Sequence, residues 1–267
     1  MRLRIRIIFV VGILFLFGSL VYGDEPQQMS QSSSGTGKVL HYTATKFGIP
    51  IFKATIKIGN ESFHQGKSLL QIHASFHSLQ YLNPLFRMNN RFTSTMETDT
   101  CFPVRYVKEV DQEGLLIQKK NYLHTLLFDP PRQKVVVEKK EGGDKEEGGD
   151  KEEVSLPPST YDPLSMFARC YLKEEIRPGQ DLRMSIFDGV KLRAMVFHSK
   201  QEKVKSKKYG EVKAIRLEST TSFSTFGEKE GIIRIWYTTD GDRTPLLMEL
   251  DLPVGNVKFE LESVEKG

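Results

Sequence analysis

Histidines, cysteines and paired carboxylates are the residues whose spacing would reveal chemistry in this chain. Histidine occurs at positions 41, 64, 73, 77, 124 and 198. A nucleophilic triad wants a serine on a sharp, glycine-flanked turn, and the sequence contains no G-x-S-x-G. His73 and His77 have the spacing of a metal pair on a helix; on a strand the same spacing puts them about 13 Å apart, too far to chelate one ion. HExxH, GxGxxG and the P-loop are absent from the sequence. Carboxylates are plentiful, but a pair of them does glycosidase chemistry only at a defined separation. Each histidine therefore reads as a polar residue on a strand face. No catalytic or metal residue is assigned, and the expectation is a non-enzymatic protein without a cofactor.

The two cysteines, Cys101 and Cys170, allow two readings. In an exported chain an isolated pair invites a disulfide. It would close a loop of roughly 70 residues, worth about 3–4 kcal/mol in the chain-entropy model. The alternative is two buried thiols that never meet. The spacing is not clustered enough for a metal site.

The compartment is read from the start of the chain. Arg2, Arg4 and Arg6 precede an uncharged run from Ile7 to Gly23, and Val21-Tyr22-Gly23 leads into acidic Asp24. This three-part pattern predicts a secretory signal over 1–23, cleaved after Gly23, and a periplasmic or secreted protein. An uncleaved leader is the alternative, and it would be the chain's only tie to a membrane. Without those three arginines, 35 basic residues face 34 acidic ones, so the basicity lies in the leader and gives no case for nucleic acid.

The elements that must position any site are mostly strands. Residues 24–37 are polar and read as a flexible lead-in, and 38–267 as a single β-rich domain. Val257, Phe259 and Leu261 alternate with Lys258, Glu260 and Glu262, the signature of a strand with one buried face. Leu182–Phe187 and Val190–Phe197 flank Asp188-Gly189, a hairpin signal. Ile232–Thr239 and Leu246–Leu250 flank the turn at Asp240-Gly241-Asp242. Seven further strands are expected in the first half, from Val39–Thr45 to Val135–Glu138. Strands this short and regular predict an antiparallel meander forming a curved sheet, half-barrel or sandwich. One short helix is expected near 163–173. Asp162 is placed to cap it, Pro163 suits its first position, and Leu164, Phe167, Ala168 and Tyr171 share one face. The tandem GGDKEE at 142–147 and 148–153 predicts a disordered acidic loop insertion at about 139–155.

The Trp236 hairpin has two readings. Ile233, Ile235 and Tyr237 share the face opposite to Arg234, Trp236 and Thr238, and a bond between Asp240 and Arg243 would pin the turn. Trp236, Asp240 and Arg243 form either a structural hairpin or a binding rim for sugar or lipid headgroups.

The order of several short marks resembles a bacterial envelope family, domain-of-unknown-function family 3108. They include Tyr42 with Phe47-Gly48-Ile49, Arg91-Phe92, Pro103-Val104-Arg105-Tyr106 and Phe128-Asp129. Tyr161-Asp162-Pro163-Leu164-Ser165, Pro178-Gly179, Ile235-Trp236-Tyr237-Thr238-Thr239-Asp240 and Arg243-Thr244-Pro245 complete the set. The resemblance implies an exported, β-rich protein without an established activity. The acidic insertion departs from the family pattern. Apolar residues on both faces of several segments, such as Ile72, Phe76, Leu115, Leu116, Ile117, Leu123 and Leu126–Phe128, exceed what one sheet face needs. They favour a binding protein for an apolar or amphiphilic ligand, a lipid or envelope polymer. The alternative is a structural or assembly factor that pairs with another envelope protein through a sheet edge.

Overall fold

A computed structural model describes residues 37–59, 61–64, 66–115, 117–142, 150–223, 229–253 and 255–266. The leader, its cleavage point after Gly23 and nearly all of the lead-in lie outside the described residues. Among the described residues no helix is long and apolar enough to cross a membrane.

Among the described residues, sixteen strands make one sheet. The first half holds β1 (Lys38–Lys46), β2 (Ile49–Ile58), β3 (Ser62–His64), β4 (Lys67–Ser78), β5 (Phe86–Glu97), β6 (Pro103–Gly114), β7 (Ile117–Asp129) and β8 (Lys134–Glu141). The second holds β9 (Asp150–Ser155), β10 (Thr160–Tyr161), β11 (Asp181–Phe187), β12 (Leu192–Ser206), β13 (Gly210–Phe223), β14 (Lys229–Thr238), β15 (Pro245–Leu252) and β16 (Gly255–Lys266). The order is β10-β11-β12-β13-β14-β15-β16-β1-β2-β4-β5-β6-β7-β8-β9, with β3 paired to β4 outside this path. Pairing is antiparallel except between β10 and β11. The chain is thus a meander whose two ends are joined by β16 beside β1.

Chain connectivity dictates the curvature. β9 and β10 are opposite edges of the sheet, yet only Leu156–Ser159 separates them in sequence. From Ser155 to Thr160 the backbone reaches at most about 18 Å. A flat sheet of this order would hold its edges roughly 65–70 Å apart at about 4.8 Å per strand. The sheet therefore curls almost into a barrel and stays open between β9 and β10. Bulges at His41/Tyr42, Thr95/Met96 and Trp236/Tyr237 add local twist to that curl.

The inner face is read off the register. At one level across β4 to β8 it carries Ala74, Phe92, Lys108, His124 and Lys139. At the next it carries Ile72, Ser94, Tyr106, Leu126 and Val137. The core residues of β1, β2 and β16, among them Leu40, Tyr42, Phe52 and Leu261, are fully buried.

The helix lies inside the curl. α1 (Pro163–Ala168) continues as a single π-turn over Arg169–Lys173. Asp162 Oδ1 accepts from Leu164 N at 2.8 Å and Ser165 N at 3.0 Å, while Ser165 Oγ accepts from Asp162 N at 2.9 Å. This reciprocal capping box satisfies helix donors that would otherwise be orphaned in the core. Where the sequence predicts one packed face, all of Pro163–Ala168 is buried. The reason is that α1 touches β4 and β5 on one wall and β10 and β11 on the other.

Two expectations about elements are corrected. Most of the acidic stretch at 139–155 is paired strand, because β8 runs on to Glu141 and β9 begins at Asp150. Its charges are matched across the ladder: Lys139–Glu152 at 2.7 Å, Lys134–Glu153 at 2.5 Å and Lys151–Glu138 at 2.5 Å. Val154, opposite Val135, packs on the core and anchors the hairpin. Residues 143–149 lie outside the described set. The second correction is β13, which the alternation did not reveal because Arg216 and Glu218 spend their charge on cross-strand partners.

Candidate functional site

Inside the curl, between α1 and the sheet, is a hollow with a cavity volume of about 130 Å³, or about 950 Å³ when the space open to solvent is counted. Its walls come from strands far apart in sequence: Ala54 and Ile56 from β2, Ala74 and Phe76 from β4, Ile186 from β11 and Met195 from β12. Ile233, Ile235, Met248, Leu250 and Phe259 add β14, β15 and β16, and Leu164, Met166 and Phe167 project from α1. Every lining residue is apolar. Ile233, Met248 and Leu250 remain only half-buried, so the hollow exposes apolar surface. Phe76 forms part of the wall, edge-on to Phe259 at 6.1 Å and tilted against Phe92 at 5.4 Å. Met166, Met195 and Met248 make the lining adaptable, since an unbranched thioether refits to irregular shapes.

Beyond Phe92 the inner face turns polar. Lys108 is 1% exposed, and its ammonium donates to the carbonyl of Asp188 in the β11–β12 turn. Burial pushes Lys108 down to about 8, with Asp188 opposing and Arg193 and Lys139 adding to the shift. The Asp188 carboxylate is used elsewhere. Its Oδ2 meets Arg193 Nη1 at 2.5 Å, and its Oδ1 accepts from Val190 N at 2.8 Å and Lys191 N at 2.7 Å. Gly189 is needed here: its φ is +85°, and an added Cβ would stand 3.0 Å from Leu126 and 3.5 Å from Lys108 Nζ. The turn thereby lies directly on the inner face of β6 and β7.

Around Lys108 several polar atoms are buried without a partner among the described residues: Tyr106 Oη, Asn90 Nδ2 and His124 Nδ1. Burial, with Lys108 and Lys139 nearby, holds His124 down to about 4, so its imidazole is neutral. Burial raises Tyr122 to about 12 and Tyr106 well above the usual phenol range. Asp162 is pushed up to about 6 by burial, against the hydrogen bonds from Ser94, Ser165 and Leu164.

The residues singled out in the sequence fall elsewhere. Trp236 is 6% exposed on the face opposite to Ile233 and Ile235, and so faces away from the hollow. Its Nε1 donates to Glu202 Oε1 at 2.7 Å, beneath a convex-face ladder that runs through Arg216, Glu218, Arg234 and Glu249. No bond joins the Asp240 carboxylate to the Arg243 guanidinium. Asp240 Oδ1 instead accepts from Arg243 N at 3.0 Å and Thr238 Oγ1 at 2.6 Å, and Arg243 Nη1 donates to the carbonyl of Glu174. The backbone explains the change, because Arg243 has φ +44° and its side chain leaves the turn toward the end of the π-turn. Cys101 and Cys170 are buried free thiols, not a disulfide; burial raises them to about 11 and about 12. His73 lies on the convex face of β4 and bonds Thr93 and Gln71 at 2.9 Å each.

Similarity to known proteins follows the same architecture. The profile of a family of proteins of unknown function, DUF3108, matches residues 39–262. The chain belongs to the DUF3108 family. That span runs from β1 to β16, so the family unit is the curled sheet with its enclosed helix. A beta-barrel-like protein of the unknown-function domain DUF1849 from Brucella abortus is similar in fold, with 12% identity and a TM-score of 0.55. The match covers 86% of this chain and 98% of that one, and at such identity it shows the fold alone. A presumed exported protein with a YmcC-like fold from Bacteroides fragilis aligns over 86% of this chain and 96% of its own, at 10% identity and a TM-score of 0.35. No curated protein matches the chain.

The sequence suggested an apolar binding surface, with Phe76 among its residues, but it did not place the hollow and did not point to the polar patch. One signal was available for the patch: Lys108 and Gln112 share the parity of Tyr106 and Val110, which places polar side chains on a buried face.

Proposed function

We propose that this DUF3108 protein is an exported, non-enzymatic binding protein of the cell envelope that holds an apolar or amphiphilic ligand, a lipid or envelope polymer, in the hollow between α1 and the sheet. Export rests on the leader read from the sequence. The observation that carries the reading is a cavity walled by apolar side chains alone, with Ile233, Met248 and Leu250 left half-buried. Exposed apolar surface costs about 25 cal/mol per Å², and a ligand chain occupying the hollow removes that cost.

The rival assembly role through a sheet edge is less well supported. The β9 edge carries exposed Asp150, Lys151, Glu152 and Glu153, and charges on an edge strand discourage pairing with another chain.

Native mass spectrometry of the chain purified from its own envelope, with extraction of bound material, should recover an amphiphile in stoichiometric amount. Ile233→Trp fills the hollow from a half-buried position, where overpacking costs about 1–3 kcal/mol, and should abolish both retention of that material and binding of the neutral dye phenylnaphthylamine. A chain that emerges empty and binds the dye no better than Ile233→Trp refutes the reading.

A further inference from the structure

The inner face is graded from apolar to polar. Ala74 lines the hollow, and from it the register leads through Phe92 to Lys108, His124 and Lys139 on consecutive strands. Two strand spacings, about 10 Å, separate Ala74 from Lys108. An acyl chain seated in the hollow is long enough to span that distance to Lys108, with buried Phe92 between them. On the adjacent level Phe76, also in the wall, sits directly opposite Asn90.

The polar groups at this end are mostly donors. Tyr106 Oη, Asn90 Nδ2 and His124 Nδ1 are buried and unpartnered among the described residues, and the Lys108 ammonium has a backbone carbonyl as its acceptor and no carboxylate within ion-pair distance. His124 is directly opposite Lys108, and Tyr106 is two residues away on the same face. An unmet buried donor costs about 1–3 kcal/mol, so folded chains seldom retain several in one place without a use for them. The side of the cluster toward β7 is the more open one, because Tyr122 and His124 are only half-buried.

We propose that Lys108, Asn90, Tyr106 and His124 form a headgroup subsite two strands away from the hollow wall, and that it selects amphiphiles with an anionic carboxylate or phosphate headgroup over neutral ones. The anion takes the ammonium of Lys108 and the donors of Asn90 and Tyr106, while the Asp188–Lys191 turn covers it. Lys108 supplies the charge; the carboxylate of Asp188 acts on it only at a distance, being hydrogen-bonded to Arg193 and the turn's own amides. This selectivity rests on the hollow being the ligand site.

The test compares a dansyl-labelled fatty acid with its methyl ester, which differs in headgroup charge, on the full chain and on Lys108→Met and Lys108→Arg. The acid should bind wild type at least tenfold more tightly than the ester. Lys108→Met should bring the two affinities together, and Lys108→Arg should keep most of the preference. Equal affinities in wild type, or a preference that survives Lys108→Met, overturn the subsite while leaving the hollow as a binding site. Binding of neither probe overturns the hollow and the subsite together. Displacement of the acid by millimolar inorganic phosphate would assign the cluster to a free anion and overturn the headgroup role.

Discussion

At the scale of single residues, Lys108 is a costly side chain to bury. Its ordinary value of 10.5 falls to about 8 in the folded chain, chiefly through burial. A group depressed by that much destabilises the folded state by about 3 kcal/mol below pH 8, since each unit is worth about 1.36 kcal/mol. The sign follows from proton binding. Between pH 8 and 10.5 the unfolded chain holds the proton and the folded chain does not, so this contribution to stability rises with pH across that window. Lys108→Met removes the buried charge at the loss of one hydrogen bond worth about 1 kcal/mol. We expect a variant more stable than wild type at pH 7, by roughly 2 kcal/mol, that lacks the wild-type increase between pH 8 and 10.5. Thermal melts from pH 6 to 10.5 decide it, and a lower melting temperature at pH 7 would mean that Lys108 is a structural tie to the Asp188 turn. Trp236 is the contrasting case. It stands out in sequence as the lone tryptophan, yet its indole is spent on Glu202 at the convex surface, away from the hollow.

At the scale of elements, the acidic hairpin shows how composition can mislead. GGDKEE occurring twice in tandem reads as unstructured because nothing in it is apolar, but 150–153 of the second copy is drawn into β9 by partners it cannot reveal locally. Lys134, Glu138 and Lys139 meet Glu153, Lys151 and Glu152 across the ladder, and Val154 closes over the core. Exposed pairs of this kind contribute little individually, so the packing of Val154 and the ladder hydrogen bonds carry the strand. Two deletions should therefore behave differently. Removing 143–149 and rejoining the hairpin with a short turn should leave the melting temperature within a few degrees, since shortening the connection between two paired strands changes its closure cost by under about 1 kcal/mol. Removing 142–153 strips β8 of its partner and should lower the transition markedly. Equal effects from the two deletions would show that β9 does not contribute. The helix was the more legible element. Asp162, Pro163 and the spacing of Leu164, Phe167 and Tyr171 predict it directly, because a cap and an apolar stripe are local properties.

At the scale of the whole molecule, one sheet does the work of both container and core. Its edges, β9 and β10, are neighbours in sequence and ends in space, so the short Leu156–Ser159 link sets how far the sheet must curl. Once curled, it has an inside that a flat sheet lacks, and α1 fills only part of it. The remaining space is the hollow, and its lining follows from the curl. β2 and β4 face β14 and β15 across α1, although they are separated by more than 150 residues of chain.

The sequence by itself determined what depends on near neighbours. Alternation predicted most of the strands, Asp162 and Pro163 predicted the helix, and the ordered marks from Tyr42 to Pro245 identified the family. Only the tertiary structure decided which of two alternating faces is the inside, that the sheet curls and stays open, and that an apolar cavity adjoins a buried lysine. The physical reason is that alternation has a period of two and treats both faces alike. Ile233 and Trp236 are equally apolar and lie on opposite faces of β14; the curl turns one toward the hollow and the other toward Glu202. The environment of Lys108 depends on a turn eighty residues further along the chain. No local pattern records that meeting, because it exists only after the sheet has curled around its own interior.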